Sequence, residues 1–316
     1  MFSGQGSFRI FRIAGITVYL NWTWFLVAAY EIQARNGTYT SVLWNVLEYL
    51  ALFAIVLLHE FGHALACRSV GGKADTILLW PLGGVAYVDP PQRPGATLWS
   101  IAAGPLVNVA LLPILAPAFS FARAAHWRYT MPNEYRLLGA ILTTDIVLLV
   151  FNILPIYPLD GGQILRSLLW FPLGRARSLM VAAFLGFFGV AGLFILAIYL
   201  RSIWTGLIAA YAAMNCWSGF KQARALRKLE SLPRRQGFAC PSCHTAPPLG
   251  LYWTCNRCNT RFDTFETGGI CPSCATRFAS TTCLDCHHQA PIAQWQPGYV
   301  PGTGVISSQM GASQAP

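Results

Sequence analysis

Long apolar segments separated by short basic loops fill the first 220 residues of the chain, whereas the residues that follow are polar and rich in cysteine. Each apolar segment approaches the length of about 20 residues that an α-helix needs to cross the hydrocarbon core of a bilayer. The segments cover approximately 16–32, 42–67, 98–121, 137–155, 179–200 and 203–220. The pattern predicts an all-α polytopic membrane protein with about six transmembrane helices and a small C-terminal module.

The composition agrees with a membrane protein, because charged residues make up only 11% of the chain, against about 25% in an average soluble domain. Of the 10 cysteines, all but Cys67 and Cys216 follow residue 220. We expect a membrane core over 1–220, a basic juxtamembrane linker over 221–236 and a cysteine-rich module over 237–290. The remaining residues, 291–316, contain little to bury and are expected to be a disordered tail.

Lys and Arg residues in the loops predict the orientation of the core, since cytoplasmic loops carry an excess of them. If the N-terminus is inside, the inner loops contain Arg9, Arg12, Arg68, Lys73, Arg93, Arg166, Arg175 and Arg177. The outer loops contain Arg35, Arg123, Arg128 and Arg136. We therefore expect a multi-pass protein of the cell (inner) membrane with both termini in the cytoplasm. The basic run after residue 220 is interpreted as an anchor to anionic membrane lipid rather than to nucleic acid.

A metal-binding motif interrupts the second apolar segment. His59, Glu60 and His63 form the pattern H-E-x-x-H. Residues four apart share a face of a helix, so both imidazoles can bind one metal ion while the glutamate acts as a general base. Ionisable groups inside a membrane are costly and usually functional. The alternative is a chance match on a buried helix whose histidines are only hydrogen-bonded.

Asp160 is the candidate for a third ligand, because a catalytic zinc site usually has three protein ligands and one position for water. It follows Pro155 and Pro158, which interrupt a helix, and precedes Gly161 and Gly162, which give the backbone freedom to turn. In the six-helix topology this segment ends on the same side of the membrane as the two histidines. The alternative is an ordinary boundary loop with a solvated aspartate.

Three motifs in this order resemble the site-2 protease family of intramembrane zinc metalloproteases, particularly its bacterial and archaeal members. They are H-E-x-x-H at 59–63, G-P-x-x-N at 104–108 and N-x-x-P-x-x-P-L-D-G at 152–161. The resemblance covers residues 1–220. It implies that His59, His63 and Asp160 bind one catalytic zinc ion and that Glu60 is the catalytic base. It also implies a transmembrane protein as substrate, cleaved in regulated proteolysis that releases a transcription factor or degrades an anti-sigma factor.

Two further features of the core bear on catalysis. Asn108 and Asn152 are candidates to donate a hydrogen bond to the developing oxyanion, and the alternative for both amides is a hydrogen bond between helices. The segment 73–89 reads as two short apolar strands around a Pro/Gly turn, which predicts a short membrane-edge β-hairpin. Its open edge either pairs with an unwound substrate by β-augmentation or only seals the helical bundle.

Four C-x-x-C pairs predict structural zinc sites, since each pair supplies two thiolates to a tetrahedral ion. The pairs are Cys240/Cys243, Cys255/Cys258, Cys271/Cys274 and Cys283/Cys286. The simpler arrangement joins the pairs sequentially into two zinc ribbons, and cross-bracing is the alternative. Iron or disulfides are competing interpretations, and a reducing cytoplasm argues against disulfides. We expect one catalytic and two structural zinc ions, with the module depending on metal for its stability because it contains few large apolar residues.

The sequence therefore predicts an intramembrane zinc endopeptidase with a cytoplasmic double zinc-ribbon domain. The competing interpretation is a catalytically dispensable membrane adaptor that binds transmembrane helices and recruits partners through its ribbons. A metal transporter is disfavoured, because one site near one face of the membrane makes no pathway. For the ribbons we expect a cytoplasmic protein partner rather than nucleic acid, since few basic and aromatic residues are available.

Overall fold

The computed structural model describes residues 6–35, 37–80 and 83–296. These residues form two compact units, which divide between Arg227 and Lys228. Helices dominate the first unit, whereas turns and short strands dominate the second. The cysteine pairs all lie in the second unit.

The helices follow the apolar segments and the interruptions between them. They are α1 (Thr23–Ala34), α2 (Val42–Ser69), α3 (Pro94–Ala124), α4 (Trp127–Thr130), α5 (Pro132–Ile153), α6 (Asp160–Leu173), α7 (Arg175–Leu200) and α8 (Ile203–Glu230). Four of them, α2, α3, α5 and α7, are long and apolar enough to cross a membrane. The fold is therefore mostly helical, as predicted.

The predicted count of six spans is not confirmed, since the described residues contain four candidate spans. The first predicted segment, 16–32, is divided between a strand and the 12-residue α1, which at 1.5 Å per residue is only about 18 Å long. The last, 203–220, is part of α8, which continues through basic residues to Glu230. The apolar pattern does not predict α6, because its start at Asp160-Gly161-Gly162 resembles a loop.

A four-stranded sheet in the order β1-β2-β3-β4 packs against α2. Its strands are β1 (Ser7–Ile13), β2 (Ile16–Asn21), β3 (Lys73–Trp80) and β4 (Gly83–Asp89). β2 and β3 are parallel, whereas the other neighbours are antiparallel. The two strands expected within 73–89 are thus half of a larger sheet rather than a separate hairpin, and β4 is one of its edges. Their position at the membrane edge stays a prediction.

Small residues bring α2 and α3 into close contact around the H-E-x-x-H motif. A Cβ atom on Gly62 of α2 would lie 2.7 Å from the Ala103 carbonyl oxygen of α3. A Cβ atom on Gly104 of α3 would lie 2.2 Å from Nε2 of His63 and 2.7 Å from Nε2 of His59. Glycine at both positions therefore lets the two backbones approach, as small residues do in pairs of membrane helices.

The second unit contains an aromatic core as well as its cysteines. The ring of Phe265 lies 5.2 Å from that of Phe238, 5.3 Å from Trp253 and 4.9 Å from Trp295, measured between centroids. The short strands are β5 (Trp253–Thr254), β6 (Arg261–Phe262), β7 (Ser280–Thr282) and β8 (Gln289–Pro291). β5 pairs with β6 and β7 pairs with β8. Contrary to the expectation from composition, this unit buries an apolar core beside its cysteines.

The second unit also extends past its predicted C-terminal boundary at residue 290. A 3-10 helix covers Ile292–Trp295, and Trp295 is only 1% exposed. Packing of this indole against Phe265 orders the residues that precede it, so a disordered tail beginning at residue 291 is wrong. Residues 297–316 of the predicted tail lie outside the described part of the chain.

The predicted linker, 221–236, is not a separate part of the chain. Its first ten residues belong to α8. Arg234 then donates hydrogen bonds of 2.7 and 3.1 Å to the two carboxylate oxygens of Asp285, and Arg235 donates one of 2.7 Å to Asp263. The hydrogen bonding by Asp285 raises the pKa of Arg234. Both arginines are therefore held by the second unit, which leaves the basic residues of α8 as the expected lipid contacts.

Candidate metal centres

Three side chains converge where α2 and α6 meet in the first unit. His59 and His63 lie one turn apart on α2, and their Nε2 atoms are 3.1 Å from each other. Oδ2 of Asp160, the first residue of α6, lies 3.0 Å from Nε2 of His59 and 3.3 Å from Nε2 of His63. Both histidines are buried and Asp160 is half-buried. The structure thus brings together the three residues predicted as metal ligands.

Hydrogen bonds to the other ring nitrogens orient both histidines. Nδ1 of His63 lies 2.9 Å from the carbonyl oxygen of Ser100, and Nδ1 of His59 lies 2.6 Å from Oδ1 of Asn108. Both partners are oxygens that can only accept, so each Nδ1 carries a proton and each Nε2 presents a lone pair. Nδ2 of Asn108 in turn donates a hydrogen bond of 2.7 Å to Oδ1 of Asp145.

This donor set fits a zinc ion. The three ligand atoms lie within 4.8 Å of one another, and imidazole nitrogen and carboxylate oxygen are both common zinc ligands. Metal-binding histidines almost always donate their second nitrogen to an oxygen acceptor, as both do here. Three protein ligands leave a position for water, which is typical of catalytic rather than structural zinc sites.

A break between α5 and α6 positions Asp160. The chain leaves α5 after Ile153 and enters α6 at Asp160. A Cβ atom on Gly161 would lie 2.1 Å from the carbonyl oxygen of Ile153, and one on Gly162 would lie 2.5 Å from the Tyr157 nitrogen. Neither glycine has a positive φ. The two glycines are therefore required for close approach of the chain segments, not for the freedom to turn that the sequence suggests.

Glu60 faces the edge strand of the sheet. Its Oε2 accepts a hydrogen bond of 2.8 Å from the amide of Ala86 in β4. A Cβ atom on Gly84 would lie 2.3 to 2.6 Å from atoms of the Glu60 side chain, so only glycine lets β4 pass this close. Glu60 is not part of the ligand cluster, which leaves its carboxylate available for proton transfer.

A cavity of about 450 Å³ adjoins the ligand cluster and Glu60. Asn152 lines this cavity, and nowhere in the described residues does its amide have a hydrogen-bond partner. Asn108, in contrast, is fully buried, and both ends of its amide are occupied, by His59 and Asp145. Of the two asparagines, Asn152 is thus the one that a bound substrate can reach, whereas Asn108 connects three helices.

Sequence reasoning misses Asp145. This residue is fully buried on α5, and its contact with the metal centre passes through Asn108. An acidic residue inside an apolar span is itself a signal of function. The motif search alone does not use that signal, because Asp145 belongs to none of the three motifs.

Comparison with known proteins agrees with this geometry. The sequence profile of peptidase family M50 matches residues 48–126 and 128–196, which include the three converging side chains and Glu60. The match covers just under half of the chain, and there the chain is similar to this family, the site-2 proteases. The resemblance inferred from the motifs is therefore confirmed.

Curated relatives of this chain include a zinc metalloprotease of Methanocaldococcus jannaschii. It is 36% identical over 182 residues, which cover 57% of this chain and 50% of the relative. Stage IV sporulation protein FB of Bacillus subtilis is 27% identical over 192 residues, which cover 60% of this chain and 64% of the relative. The chain thus spans about half to under two thirds of the length of these relatives. The solved site-2 protease from Methanocaldococcus jannaschii matches 68% of this chain and 95% of its own, with 28% identity and a TM-score of 0.48.

The eight cysteines of the second unit form two groups of four. The outermost pairs form one group, Cys240, Cys243, Cys283 and Cys286, and the inner pairs form the other, Cys255, Cys258, Cys271 and Cys274. Sulfur atoms of joined pairs lie 3.5 to 3.8 Å apart. A tetrahedral zinc ion with bonds of about 2.3 Å separates its sulfurs by about 3.8 Å. The pairing is nested, so the sequential and the cross-braced predictions are both wrong.

Apolar packing explains the nested pairing. Cys240 and Cys283, from the outer pairs, are buried together with Phe265 and Trp295. The inner pairs have Cys255 and Cys271 buried against Phe262, and Trp253 borders both clusters. Each cysteine group thus lies in its own apolar cluster. The spacing of the C-x-x-C pairs alone does not reveal which pairs join.

Every pair has the same local turn. The residue after the second cysteine has a positive φ between 56° and 60°, and its amide donates a hydrogen bond of 2.9 or 3.0 Å to the carbonyl oxygen of the first cysteine. These residues are His244, Asn259, Ala275 and His287. The histidines near the cysteines, His244, His287 and His288, lie outside both ligand groups.

Proposed function

We propose that this chain is an intramembrane zinc endopeptidase that hydrolyses a peptide bond in or near a transmembrane segment of a membrane protein. The observation that carries the proposal is the convergence of His59, His63 and Asp160 beside Glu60, next to a cavity between apolar helices. The match to peptidase family M50 supports the same activity. The relative from Methanocaldococcus jannaschii is itself described as a zinc metalloprotease.

In this proposal His59, His63 and Asp160 hold the catalytic zinc ion. Bound zinc lowers the pKa of a water molecule and polarises a substrate carbonyl. Glu60 accepts the proton of the attacking water and passes it to the leaving nitrogen of the peptide. The amide of Ala86 supports this role, because its hydrogen bond to Oε2 holds the Glu60 carboxylate in one orientation.

Asn152 is the proposed donor to the oxyanion that develops on the substrate carbonyl. Its position on the cavity wall and its unpaired amide within the described structure support this assignment. Asn108 was an equal candidate on sequence grounds, and its two hydrogen bonds favour the alternative, a connection between helices.

The edge of β4 is the proposed docking site for an unwound substrate. Amides along an antiparallel strand point alternately to its two sides. The Ala86 amide points away from β3, because it bonds to Glu60 instead. Gly84, two residues earlier, presents its backbone on the same side and lines the cavity. An extended peptide added to this edge by β-augmentation would pass beside Glu60 and expose carbonyls that a helix keeps hydrogen-bonded.

The wider biology follows as part of the same proposal. The substrate is a membrane protein, the solvent of the core is lipid, and both termini face the cytoplasm, as the loop charges favour. Two structural zinc ions in the ribbons and one in the core give three per chain. Regulated proteolysis of a transcription factor or an anti-sigma factor is the proposed setting, and a cytoplasmic protein is the proposed partner of the ribbons.

The test separates zinc binding from proton transfer. Glu60→Gln should abolish cleavage while the core keeps its zinc, because Glu60 is not a ligand, whereas His63→Ala should lose both. Glu266→Gln, the same chemical change at an exposed residue of the second unit, is the control and should keep both. Membrane proteomics of the Glu60→Gln strain should reveal a membrane protein that accumulates there and not in the control. Full cleavage by Glu60→Gln would refute the proposal.

A further inference from the structure

A second carboxylate, that of Asp145, lies behind the metal centre. It is fully buried on α5, and its Oδ1 accepts the 2.7 Å hydrogen bond from Asn108. Its other oxygen, Oδ2, is buried without a hydrogen-bond partner in the described structure. A carboxylate in an apolar helix is costly, and an unpaired buried oxygen adds to that cost. Packing alone does not explain why an aspartate stands at this position.

The amide of Asn108 explains why a carboxylate is useful there. A side-chain amide has an accepting end and a donating end, and either end can face a histidine. If the donating end faced His59, Nδ1 would have to accept and the proton would move to Nε2, the atom that faces Asp160. A carboxylate can only accept, so Asp145 draws the donating end of Asn108 to itself and turns the oxygen toward His59.

We propose that Asp145 is a positioning residue that, through Asn108, fixes the tautomer in which His59 binds zinc. The other histidine supplies the comparison. His63 donates to the backbone carbonyl of Ser100 at 2.9 Å, and a backbone carbonyl inside a helix cannot exchange its ends. His59 instead bonds to the side-chain amide of Asn108, whose two ends can exchange. Only His59 therefore requires a second residue that fixes the orientation of its partner. The inference rests on the proposed zinc site.

The test measures how tightly full-length variants hold the core zinc ion, by competition with a chelator. The core ion is identified as the one that His63→Ala lacks. Asp145→Leu removes the acceptor at similar size, whereas Asp145→Asn offers an amide that can either accept or donate. The double variant Asn108→Asp with Asp145→Asn exchanges the two groups, so that residue 108 still accepts from His59 and residue 145 donates to it. Leu149→Ala, at a buried residue one turn further along α5, controls for lost packing.

Asp145→Leu should weaken core zinc binding about 10- to 100-fold, while the exchanged pair should stay within about threefold of wild type. Asp145→Asn should fall between them, because its amide can hold Asn108 in either orientation. Asn108→Asp alone should bind zinc less tightly than the exchanged pair, because it places two buried carboxylates side by side. Leu149→Ala should lower thermal stability and leave zinc affinity near that of wild type.

Two results would overturn the inference: wild-type zinc affinity in Asp145→Leu, or a loss in the exchanged pair as large as that in Asp145→Leu. If Asp145→Leu does not fold, Asp145→Asn and the exchanged pair still decide, since an exchanged pair that binds core zinc less tightly than Asp145→Asn contradicts a role that depends on the direction of the hydrogen bonds. Failure of the proposed function is a different result, because then His63→Ala would contain as much zinc as wild type.

Discussion

Replacing Gly104 by alanine should disable the metal centre while the helix that carries it stays intact. An alanine Cβ at this position of α3 would lie 2.2 Å from Nε2 of His63 and 2.7 Å from Nε2 of His59, the two nitrogens proposed to bind zinc. Gly104 is within a helix and has no positive φ. Alanine is therefore compatible with the backbone and even favours the helix by up to about 1 kcal/mol.

The size of the effect follows from how far the rings must move. Non-bonded heavy atoms sit about 3.5 Å apart, so the His63 ring has to retreat by roughly 1 Å. Metal–ligand distances tolerate only about 0.2 Å, and a misplacement of about 1 Å near the reacting groups can cost about 100-fold in rate. We expect Gly104→Ala to lose the core zinc ion and to lose cleavage by about that factor or more.

The assay compares zinc content and substrate cleavage of the detergent-solubilised protein with those of a matched variant. Gly192→Ala on α7 is the control, because a Cβ atom there meets nothing within 4 Å, and it should keep both properties. Gly104→Ala that retained zinc and cleaved at more than about a tenth of the wild-type rate would refute the reasoning. It would mean that α3 moves away from the histidines at little cost, and that the close contact of α2 and α3 does not define the site.

Three further predictions concern the ribbons and the cavity. Changing Cys240 and Cys286 together to serine should remove one zinc ion by metal analysis, because nested pairing places both in one site. Loss of two ions would contradict nested pairing and favour sequential or cross-braced pairing. Asn152→Ala should lower kcat by about 100-fold with zinc content unchanged, and an unchanged kcat would exclude Asn152 as the oxyanion donor. Trp295→Ala should destabilise the zinc-loaded second unit by about 3–5 kcal/mol in thermal or denaturant unfolding, whereas an unchanged transition would show that residues after 290 do not stabilise it.

The parts of the protein that could be predicted from sequence are those that short segments specify by themselves. His59 and His63 share a helical face whatever surrounds them, because their spacing is close to one turn. Each C-x-x-C pair likewise closes its own turn, through a positive-φ residue and a hydrogen bond back to the first cysteine. Asp160 could be predicted because prolines and glycines mark the break between α5 and α6 at which it lies.

The errors concern structure that depends on distant partners. The apolar run at 16–32 suggests a helix, yet Ile16 and Val18 become alternating buried positions of β2 because β3, some 60 residues later, pairs with it in parallel. Without β3, the backbone groups on one side of that segment have no partner, because β1 pairs only with the other side. The apolar run by itself makes a helix the reasonable expectation. The order of residues 291–295 likewise depends on a distant residue, because it rests on the contact between Trp295 and Phe265.

Asn108 shows most clearly that a sequence motif does not specify the hydrogen-bond partners of its residues. The G-P-x-x-N element specifies that an amide lies beside the histidines, but an amide can serve either a substrate or a ligand, and its two ends are interchangeable in the motif. The partner that distinguishes these uses is Asp145, 37 residues away on another helix. Once that carboxylate holds the Asn108 nitrogen, the oxygen is committed to His59, and the remaining unpaired amide on the cavity wall is that of Asn152. The proposed difference in role between the two asparagines therefore follows from the packing of α3 against α5, which only the three-dimensional structure reveals.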